Sequence, residues 1–305
     1  MRVIITGGTG LIGRALTRHL VSSGYEVVIL SRNPTRVHAL PPAAQVVRWD
    51  GRTAEGWGGL LDGADAIVNL AGASIGIPPL PWTSGRKRRI RESRLDAGRA
   101  VVEAVRAAAR RPRVVVQSSA VGYYGPCSDE PVTEDAPPGT DFLARVCVDW
   151  ESSTAEVEAL GVRRVIIRTG LVLSSNGGLL PLMALPFRFF VGGTLGSGRQ
   201  WMPWIHIADH VAAIRFLMEH EATRGPWNLT APNPVTNTEF SRTLGRVLRR
   251  PSFMRVPALP LRLLLGEIAD LLLLGGQRAV PARLQHESFS FTYSNIESAL
   301  RELLR

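Results

Sequence analysis

Two hydrophobic patterns alternate along the first half of the chain. Near-continuous apolar, β-branched runs occupy residues 2–6, 26–30, 45–49, 65–70, 113–117 and 163–168. Such runs are typical of strands that are buried on both faces of a parallel sheet. The intervening segments, such as 11–22, 92–110 and 141–160, place apolar residues at the three- and four-residue steps of an amphipathic helix. This alternation predicts an α/β fold of the Rossmann type, with a doubly wound parallel sheet.

The pattern changes after about residue 175. Glycine and proline become frequent, for example at 177–178 and 192–193, and the strict alternation stops. We therefore predict a Rossmann domain at 1–175, with later segments returning to its sheet. A smaller substrate-binding region and C-terminal cap would occupy 176–305 and end in a short amphipathic helix. We expect this region to lie over the carboxyl edge of the sheet, where open α/β folds bind ligands.

A glycine-rich segment, 6-TGGTGLIG-13, follows the first predicted strand and opens the first predicted helix. Glycine allows a tight turn, a close approach of the backbone to a pyrophosphate, and close packing of helix against strand. The helix N-terminus adds N–H groups and the positive end of its dipole. Because the motif has this strand–turn–helix context, it predicts a dinucleotide site. The contacts predicted here are Gly7, Thr9, Gly10, Leu11, Ile12 and Gly13.

The end of the second strand, 30-LSRNP-34, indicates which dinucleotide binds. An NAD-preferring site usually carries Asp or Glu here, to bond the ribose 2′-hydroxyl. This chain has Ser31 and Arg32 instead, and a hydroxyl with a guanidinium suits a 2′-phosphate that a carboxylate would repel. The sequence therefore predicts NADP(H). The alternative is that Arg32 is an ordinary solvated arginine.

Three further strand ends are expected at the same crevice. Asp50, after the third strand, is placed to accept a hydrogen bond from an adenine amino group, or else to cap a turn. The fourth strand ends in 69-NLAG-72, whose small residues let the backbone pass close to the cofactor. The fifth strand ends in two serines, Ser118 and Ser119. The cofactor contacts predicted at these ends are Asp50, Asn69, Leu70, Ala71, Gly72 and Ser118.

The formal net charge of +10 indicates acidic ligands or simply solubility. The densest basic run is 86-RKRRIRESR-94. It lacks the interleaved aromatic residues or recognisable module that nucleic-acid binding requires, so no nucleic-acid partner is predicted. The run is interpreted as a solvated helix face or a patch that faces phosphate.

No apolar stretch predicts a membrane span. The most apolar stretches, 179–193 and 261–276, are interrupted by proline or charged residues before they reach the roughly 18 residues that a span requires. Contact with a membrane interface stays open as an alternative.

The cysteines and histidines suggest neither a disulfide nor a metal centre. Cys127 and Cys147 form no C-x-x-C motif and are predicted to be free thiols in a reducing, cytoplasmic compartment. The six histidines form no metal-type cluster, so no metal site is predicted.

The segments TGGTGLIG, NLAG, SSAVGYYG and 204-WIHIAD-209 together resemble the extended short-chain dehydrogenase/reductase superfamily, in its sugar-nucleotide epimerase/dehydratase branch. Segments 93–95, 168–173, 187–209 and 277–284 are similar to a narrower subgroup, the epimerase-family proteins with a short C-terminal domain of unknown function. The resemblance covers nearly the whole chain. It implies NADP(H) binding, with contacts from Ser31, Arg32, Leu70, Ala71 and Arg94 and from the RTGLVL segment at Thr169, Gly170 and Val172.

The chemistry of that superfamily normally uses a serine or threonine with a Tyr-x-x-x-Lys pair, in which tyrosinate is the acid/base. Ser119 matches the hydroxyl position. Counting onward places Leu143 at the tyrosine, Cys147 at the lysine, and Glu151 where such helices often carry a glutamate. Lys87 is the only lysine in the chain, and Thr83 stands four residues before it. The chain therefore contains no Tyr-x-x-x-Lys motif.

Two tyrosines offer a replacement. Tyr123 and Tyr124 follow Ser119 closely, and either is a candidate proton donor, with Arg94, Arg168 or the nicotinamide ribose expected to adjust its pKa. The alternative is that both only line the pocket. Cys147 is not expected to be a nucleophile, because it lies on the buried helix stripe without an adjacent histidine.

The glycine-rich loop of the C-terminal region supplies candidate substrate contacts. Arg199, Gln200 and Trp201 lie in this loop, and His206 follows in WIHIAD. Asp209 is expected to anchor a loop or the start of a helix.

The sequence thus predicts an NADP(H)-dependent, epimerase-family oxidoreductase without the Tyr-x-x-x-Lys pair. Its substrate would be a small carbonyl or hydroxyl compound or a sugar-nucleotide-like molecule. The alternative is a non-catalytic NADP(H)-binding sensor or scaffold protein. A monomer and a homodimer are both compatible with the sequence.

Overall fold

Seven parallel strands form the central sheet of the protein, whose computed structural model describes residues 1–37, 40–76, 81–127 and 129–305. The strands of these residues are β1 (Arg2–Thr6), β2 (Glu26–Ser31), β3 (Gln45–Arg48), β4 (Ala66–Asn69), β5 (Val114–Ala120), β6 (Pro131–Val132), β7 (Arg163–Thr169), β8 (Leu171–Leu173), β9 (Gly193–Leu195), β10 (Trp201–Met202), β11 (Trp204–His206), β12 (Gly225–Leu229), β13 (Val235–Thr236), β14 (Met254–Val256) and β15 (Arg278–Ala279). The order in the sheet is β12-β7-β5-β4-β1-β2-β3, with every neighbouring pair parallel. The predicted Rossmann-type sheet is confirmed.

The first two predicted helices are present, and the second is longer than expected. The α-helices of the described residues are α1 (Leu11–Ser22), α2 (Ser84–Ala107), α3 (Phe142–Ser152), α4 (Glu156–Ala159), α5 (Leu180–Arg188), α6 (Ile207–Glu219), α7 (Asn237–Leu248), α8 (Ala258–Leu265), α9 (Ala282–His286) and α10 (Ile296–Leu303). Helix α2 begins before the predicted residue 92 because the Thr83 hydroxyl accepts a hydrogen bond from Arg86 N at 3.2 Å and caps it. The basic run 86–94 therefore lies on a helix.

The segment predicted as one helix over 141–160 is two helices, α3 and α4. The break follows Ser152, where the Ser153 hydroxyl donates to Trp150 O at 2.7 Å. Such side-chain hydrogen bonds to the preceding turn compete with continuation of a helix.

Helices cover both faces of the sheet, as a doubly wound fold requires. On one face, Leu16 and Leu20 of α1 and Ile214 of α6 pack against strand residues. On the other face, α2 contributes Ala97 and Val101 to a second apolar cluster. Strand order reverses between β1 and β4, so the switch-point crevice where open α/β sheets bind ligands opens at the ends of these strands.

Strand β12 was not predicted from the sequence. Its segment, 225-GPWNL-229, opens with Gly-Pro and lacks a β-branched run. It pairs with β7 at the edge of the sheet, where proline is tolerated. Strand β12 and helix α6 therefore return to the sheet from beyond residue 175. A functional division at residue 175 itself stays a prediction.

The C-terminal lobe has a core of its own, built around Trp204, Phe240 and Leu300. The short strands pair as β8 with β11, β9 with β14, and β10 with β13. The predicted amphipathic C-terminal helix is α10, which packs on α7. The lobe contacts the start of α1, where a Cβ on Gly178 would lie 2.9 Å from the side chain of Leu11.

Candidate functional site

The turn between β1 and α1 leaves no room for a side chain at Gly7 or Gly13. Gly7 has a φ of +67°, and its carbonyl accepts a hydrogen bond from Gly10 N at 3.0 Å. A Cβ on Gly7 would lie 2.8 Å from the Leu70 carbonyl, and one on Gly13 would lie 2.4 Å from Gly7 O. Gly10 caps α1 without a side-chain hydrogen bond, which leaves the helix N-terminus open to an anion. Thr9 lies in the turn, and Leu11 and Ile12 are the first residues of α1. This geometry fits a dinucleotide pyrophosphate.

The end of β2 presents an unpaired cation. Ser31 is buried, and its hydroxyl accepts a hydrogen bond from Asn33 N at 3.2 Å. Arg32 is exposed, makes no hydrogen bond or ion pair with a described residue, and runs beside Gly51. A hydroxyl and a free guanidinium thus lie at adjacent positions, which suits the 2′-phosphate of NADP(H).

Asp50 caps a turn. Its Oδ1 accepts hydrogen bonds from Arg52 N at 2.7 Å and Thr53 N at 3.0 Å, and its Oδ2 accepts from the Thr53 hydroxyl at 3.0 Å. This geometry favours the turn-capping alternative. Contact with an adenine stays a prediction.

The Asn69 side chain holds the strand ends together. It is fully buried, and its Oδ1 accepts from the Thr6 hydroxyl at 2.6 Å while its Nδ2 donates to Gln117 Oε1 at 2.9 Å. Ala71 N donates to the same Thr6 hydroxyl at 3.2 Å. The side chain therefore links β1, β4 and β5, and it fixes the path of the 69–72 backbone at the crevice.

Arg94 brings a buried cation to the end of β4. Its Nη1 donates to Ala73 O at 3.1 Å and Ile90 O at 2.8 Å, and its guanidinium lies 4.7 Å from the Trp150 ring. Burial lowers the pKa of Arg94 to about 10, so it stays charged at neutral pH. Its Nε has no partner and it forms no ion pair with a carboxylate among the described residues. A buried charge without a counter-ion is costly, and an anionic or polar ligand would complete it.

Helix α3 carries Leu143 and Cys147, the residues that counting along the sequence predicts at the positions of a Tyr–Lys pair. Leu143 and Cys147 are both buried there. Burial raises the pKa of the Cys147 thiol to about 11, and the charge of Glu151 acts in the same direction. The thiol is therefore protonated, which agrees with the expectation that Cys147 is not a nucleophile.

Ser119 is the penultimate residue of β5 and lies in a buried polar cluster. Its hydroxyl donates to Glu151 Oε1 at 2.6 Å. Glu151 in turn accepts from Arg168 Nε at 2.9 Å and Nη2 at 3.0 Å. Burial opposes the charge on Arg168, but the hydrogen bonds from its guanidinium to Glu151 outweigh this and raise its pKa above the ordinary value. The Ser119 proton thus points at a carboxylate that is held in place by a bidentate ion pair.

The two candidate tyrosines differ in their surroundings. The Tyr124 hydroxyl donates to Asn228 Oδ1 at 2.7 Å and accepts from Arg168 Nη1 at 3.1 Å, and burial raises its pKa to about 12. The Tyr123 ring is half-buried with its centroid 3.5 Å from the Arg168 guanidinium, and its hydroxyl bonds to no described residue. Tyr124 is therefore committed to internal hydrogen bonds, whereas the Tyr123 hydroxyl is free for a ligand.

The RTGLVL segment joins β7 to the C-terminal lobe. The Thr169 hydroxyl lies 3.1 Å from Nε2 of the buried His210. A Cβ on Gly170 would lie 2.4 Å from Pro203 O, so only glycine fits there. Val172 pairs with Ile205 across β8 and β11. This tight crossing places the lobe beside the end of the sheet. Ser118 lies within the neighbouring β5, where it pairs with Ile167 of β7.

Two of the predicted substrate residues line a shared cavity of about 400 Å³. The Trp201 indole donates to Asp129 Oδ1 at 2.9 Å, and the Arg278 guanidinium lies 4.7 Å from its ring. Arg199 is exposed at the rim. The residues that line the cavity are Asp129, Gly198, Arg199, Trp201, Thr236 and Thr238.

The other two predicted substrate residues are engaged inside the lobe. The Gln200 amide donates to Leu195 O at 3.0 Å and Leu273 O at 2.8 Å. His206 caps α6, accepting from Ala208 N at 3.1 Å, and its Nε2 lies 2.9 Å from Glu302 Oε2. Both geometries favour structural roles, and a substrate contact from either stays a prediction.

Two protein-family models match successive parts of the chain. The model of the NAD dependent epimerase/dehydratase family matches residues 3–229, and that of a domain of unknown function, DUF1731, matches residues 256–303. The chain belongs to the NAD dependent epimerase/dehydratase family. The resemblance to epimerase-family proteins with a short C-terminal domain is thereby confirmed.

Relatives of this epimerase-family chain match over its full length. The epimerase family protein YfhF of Bacillus subtilis is 40% identical over 307 residues, covering 100% of this chain and 98% of that protein. The crystal structure of human epimerase family protein SDR39U1 with NADPH is 33% identical, with a TM-score of 0.87 and 99% of each chain covered. The SDR39U1 homolog of Arabidopsis thaliana, which is 37% identical and covers 100% of this chain and 87% of its own, is described as chloroplastic. The cytoplasmic location expected here therefore stays a prediction.

The sequence of this epimerase-family chain predicts only some of the contacts made by three other residues near the site. Glu151 was placed by counting along α3, but its bond to Ser119 was not predicted. Asn228 was not singled out, because its strand β12 carries a weak pattern. Asp209 was expected to anchor a loop, and its carboxylate does so, accepting from Thr292 N at 2.9 Å and Tyr293 N at 2.8 Å.

Proposed function

We propose that this epimerase-family chain is an NADP(H)-dependent oxidoreductase that acts without a Tyr-x-x-x-Lys pair. The observation that carries the proposal is the buried Ser119–Glu151–Arg168 cluster at the end of β5, at the same sheet edge as the glycine turn. A hydroxyl bonded to a fixed carboxylate is suited to proton transfer. The substrate would be a small carbonyl or hydroxyl compound or a sugar-nucleotide-like molecule, in the region that includes Arg199 and Trp201.

The choice of NADP(H) rests on Ser31 and Arg32. The relative whose structure contains NADPH supports it. In a fluorescence titration, we expect the wild type to bind NADPH more tightly than NADH. Arg32→Ala should weaken NADPH binding by about tenfold, because one charge-assisted contact is lost, and leave NADH binding nearly unchanged. A wild type that prefers NADH would contradict the assignment.

Arg94 is proposed to supply the cation that the absent lysine would provide. The residue at the lysine position, Cys147, is a protonated thiol and carries no charge. Arg94 is buried beside the strand end with an unpaired Nε. We therefore assign it to the nicotinamide side of the cofactor, where it would hydrogen-bond ribose oxygens. Bound NADP(H) itself would supply or accept the hydride.

Proton transfer is assigned to Ser119 and Glu151. Because the Ser119 hydrogen is donated to Glu151, its free lone pairs accept from a substrate hydroxyl. As that alcohol is oxidised, its proton would pass to Ser119 Oγ while the Ser119 proton passes to Glu151. In the reverse direction a protonated Glu151 would return it. Tyr123 is the alternative donor, since its hydroxyl is unengaged among the described residues.

The test is a turnover screen of the full chain with NADP⁺ and alcohols or sugar nucleotides, and with NADPH and carbonyl compounds. We expect turnover that Ser119→Ala reduces by about 10²-fold or more, the usual contribution of a positioned proton-transfer group. Tyr123→Phe distinguishes the two donors, and Tyr25→Phe, on a surface ion-pair network, serves as the control. Turnover that is indifferent to Ser119 and Tyr123 would contradict the proposed active centre.

The second candidate is a non-catalytic NADP(H)-binding sensor or scaffold protein. The observation in its favour is that Leu143 and Cys147, which stand at the predicted tyrosine and lysine positions, are both buried. Tight NADPH binding without turnover across the screen would support it over the oxidoreductase.

A further inference from the structure

One face of the C-terminal lobe exposes a group of large apolar side chains. The most prominent are Leu263, 78% exposed, Leu264, 70%, and Phe189 and Phe253, both 69%. Single exposed apolar residues are ordinary, but a contiguous group marks an interaction surface. We call this surface the apolar face, and its members are Leu182, Leu185, Phe189, Phe190, Val191, Phe253, Met254, Leu259, Leu263 and Leu264.

The segments of the apolar face are neighbours in space. Strands β9 and β14 pair side by side, and Met254 N donates to Gly192 O at 3.2 Å. The Arg250 guanidinium lies 4.6 Å from the Phe190 ring. Helix α8 begins beside β9, since a Cβ on Gly196 would lie 3.9 Å from Ala258 Cβ. The turn after α5, β14 and the start of α8 therefore adjoin one another.

The segments that form this face carry arginine as their only charged residue, and two of these arginines, Arg246 and Arg262, pair with Glu297 and Asp270 from outside the segments. Residues 180–205 and 240–266 contain eight arginines and no aspartate, glutamate, lysine or histidine. Arg188, Arg249 and Arg250 are exposed and form no ion pair with a described residue. The apolar face is thus bordered by three arginines that have no acidic partner among the described residues.

We propose that the apolar face binds the surface of an anionic phospholipid bilayer. Leu and Phe side chains fit the acyl boundary of such a surface, and flanking arginines fit its phosphate head groups. A second copy fits less well, because a two-fold interface would bring same-sign arginines together. The attachment is peripheral, as no helix among the described residues is long and apolar enough to cross a membrane. The proposal is independent of the proposed function.

Co-sedimentation with vesicles tests the proposal on the full chain. We expect binding to vesicles of phosphatidylcholine and phosphatidylglycerol in equal parts, little binding to phosphatidylcholine alone, and release in high salt. The double substitution Leu263→Ser/Leu264→Ser removes the apolar contribution, and Arg249→Gln/Arg250→Gln removes two charges. Each should weaken binding by about tenfold or more.

The matched control, Arg110→Gln/Arg145→Gln, removes the same charge from the Rossmann part and should bind as the wild type does. Circular dichroism and Tm establish that each variant is folded, which is expected because all six positions are exposed. Absence of binding to the mixed vesicles would overturn the proposal, as would equal loss in the control. A dimer that Leu263→Ser/Leu264→Ser dissociates, without vesicle binding, would assign the face to a second copy.

Discussion

The Ser119 hydroxyl lies 2.6 Å from Glu151 Oε1, on a carboxylate that also receives two hydrogen bonds from Arg168. The two residues are 32 positions apart and are brought together by the packing of α3 on β5. One buried ion pair therefore fixes both the position of the serine and the direction of its hydrogen bond.

Glu151→Gln should destabilise the protein strongly. It leaves the buried Arg168 without a counter-ion, which costs about 3–5 kcal/mol of the free energy of unfolding, measured in urea. The control is Asp149→Asn on the same helix, which removes an exposed ion pair to Arg91 at 2.6 Å and should cost at most about 1 kcal/mol. Equal effects of the two substitutions would contradict the role given to the buried pair.

Gly13→Ala should impair both folding and cofactor binding. The added Cβ would lie 2.4 Å from Gly7 O, so the turn has to move. We expect a loss of about 1–3 kcal/mol and a marked loss of NADPH affinity in a fluorescence titration. Gly59→Ala is the control, because nothing lies within 4 Å of its Cβ position. Wild-type affinity in Gly13→Ala would argue against pyrophosphate binding at this turn.

Local patterns explain why much of the fold was predictable. Buried parallel strands and amphipathic helices leave a periodic signal, and the glycine turn combines motif and context within 6–13. Strand β12 was not predicted, because an edge strand that opens with Gly-Pro lacks this hydrophobic pattern. The site was harder to predict than the fold. The sequence spacing predicted Glu151 on a helix, but it did not predict that Glu151 contacts Ser119. Contacts such as Tyr124 with Asn228 join residues 104 positions apart and depend on the tertiary fold.

His210 should make stability depend on pH. Burial lowers the pKa of its imidazole to about 3, whereas its ordinary value is 6.5. Between these values the unfolded chain binds more protons than the folded one, so the free energy of unfolding falls as pH decreases and is unaffected by this group above 6.5. The slope of the free energy of unfolding against pH that is due to this group approaches about 1.4 kcal/mol per pH unit.

The measurement is urea unfolding of wild type and His210→Gln from neutral pH to about pH 4.5. Subtracting the two curves cancels the contribution of other titrating groups. The stability advantage of the wild type should shrink as pH falls below 6.5. A difference that stays constant across this range would contradict the lowered pKa of His210, because the imidazole would then bind protons equally in the folded and unfolded chains.

Arg94→Met distinguishes the effect of the buried cation on stability from its effect on NADPH binding. The guanidinium is buried without a carboxylate partner among the described residues, so an apolar side chain of similar length should leave the stability of the ligand-free protein unchanged or higher. NADPH affinity should fall by about tenfold or more, because a charge-assisted contact is lost. Arg91→Met, on the exposed side of α2, is the matched control; it removes the surface pair with Asp149, so it should cost at most about 1 kcal/mol and leave NADPH affinity unchanged. If Arg94→Met unfolds the protein but the residual folded fraction keeps wild-type affinity for NADPH, the arginine serves packing and not the cofactor.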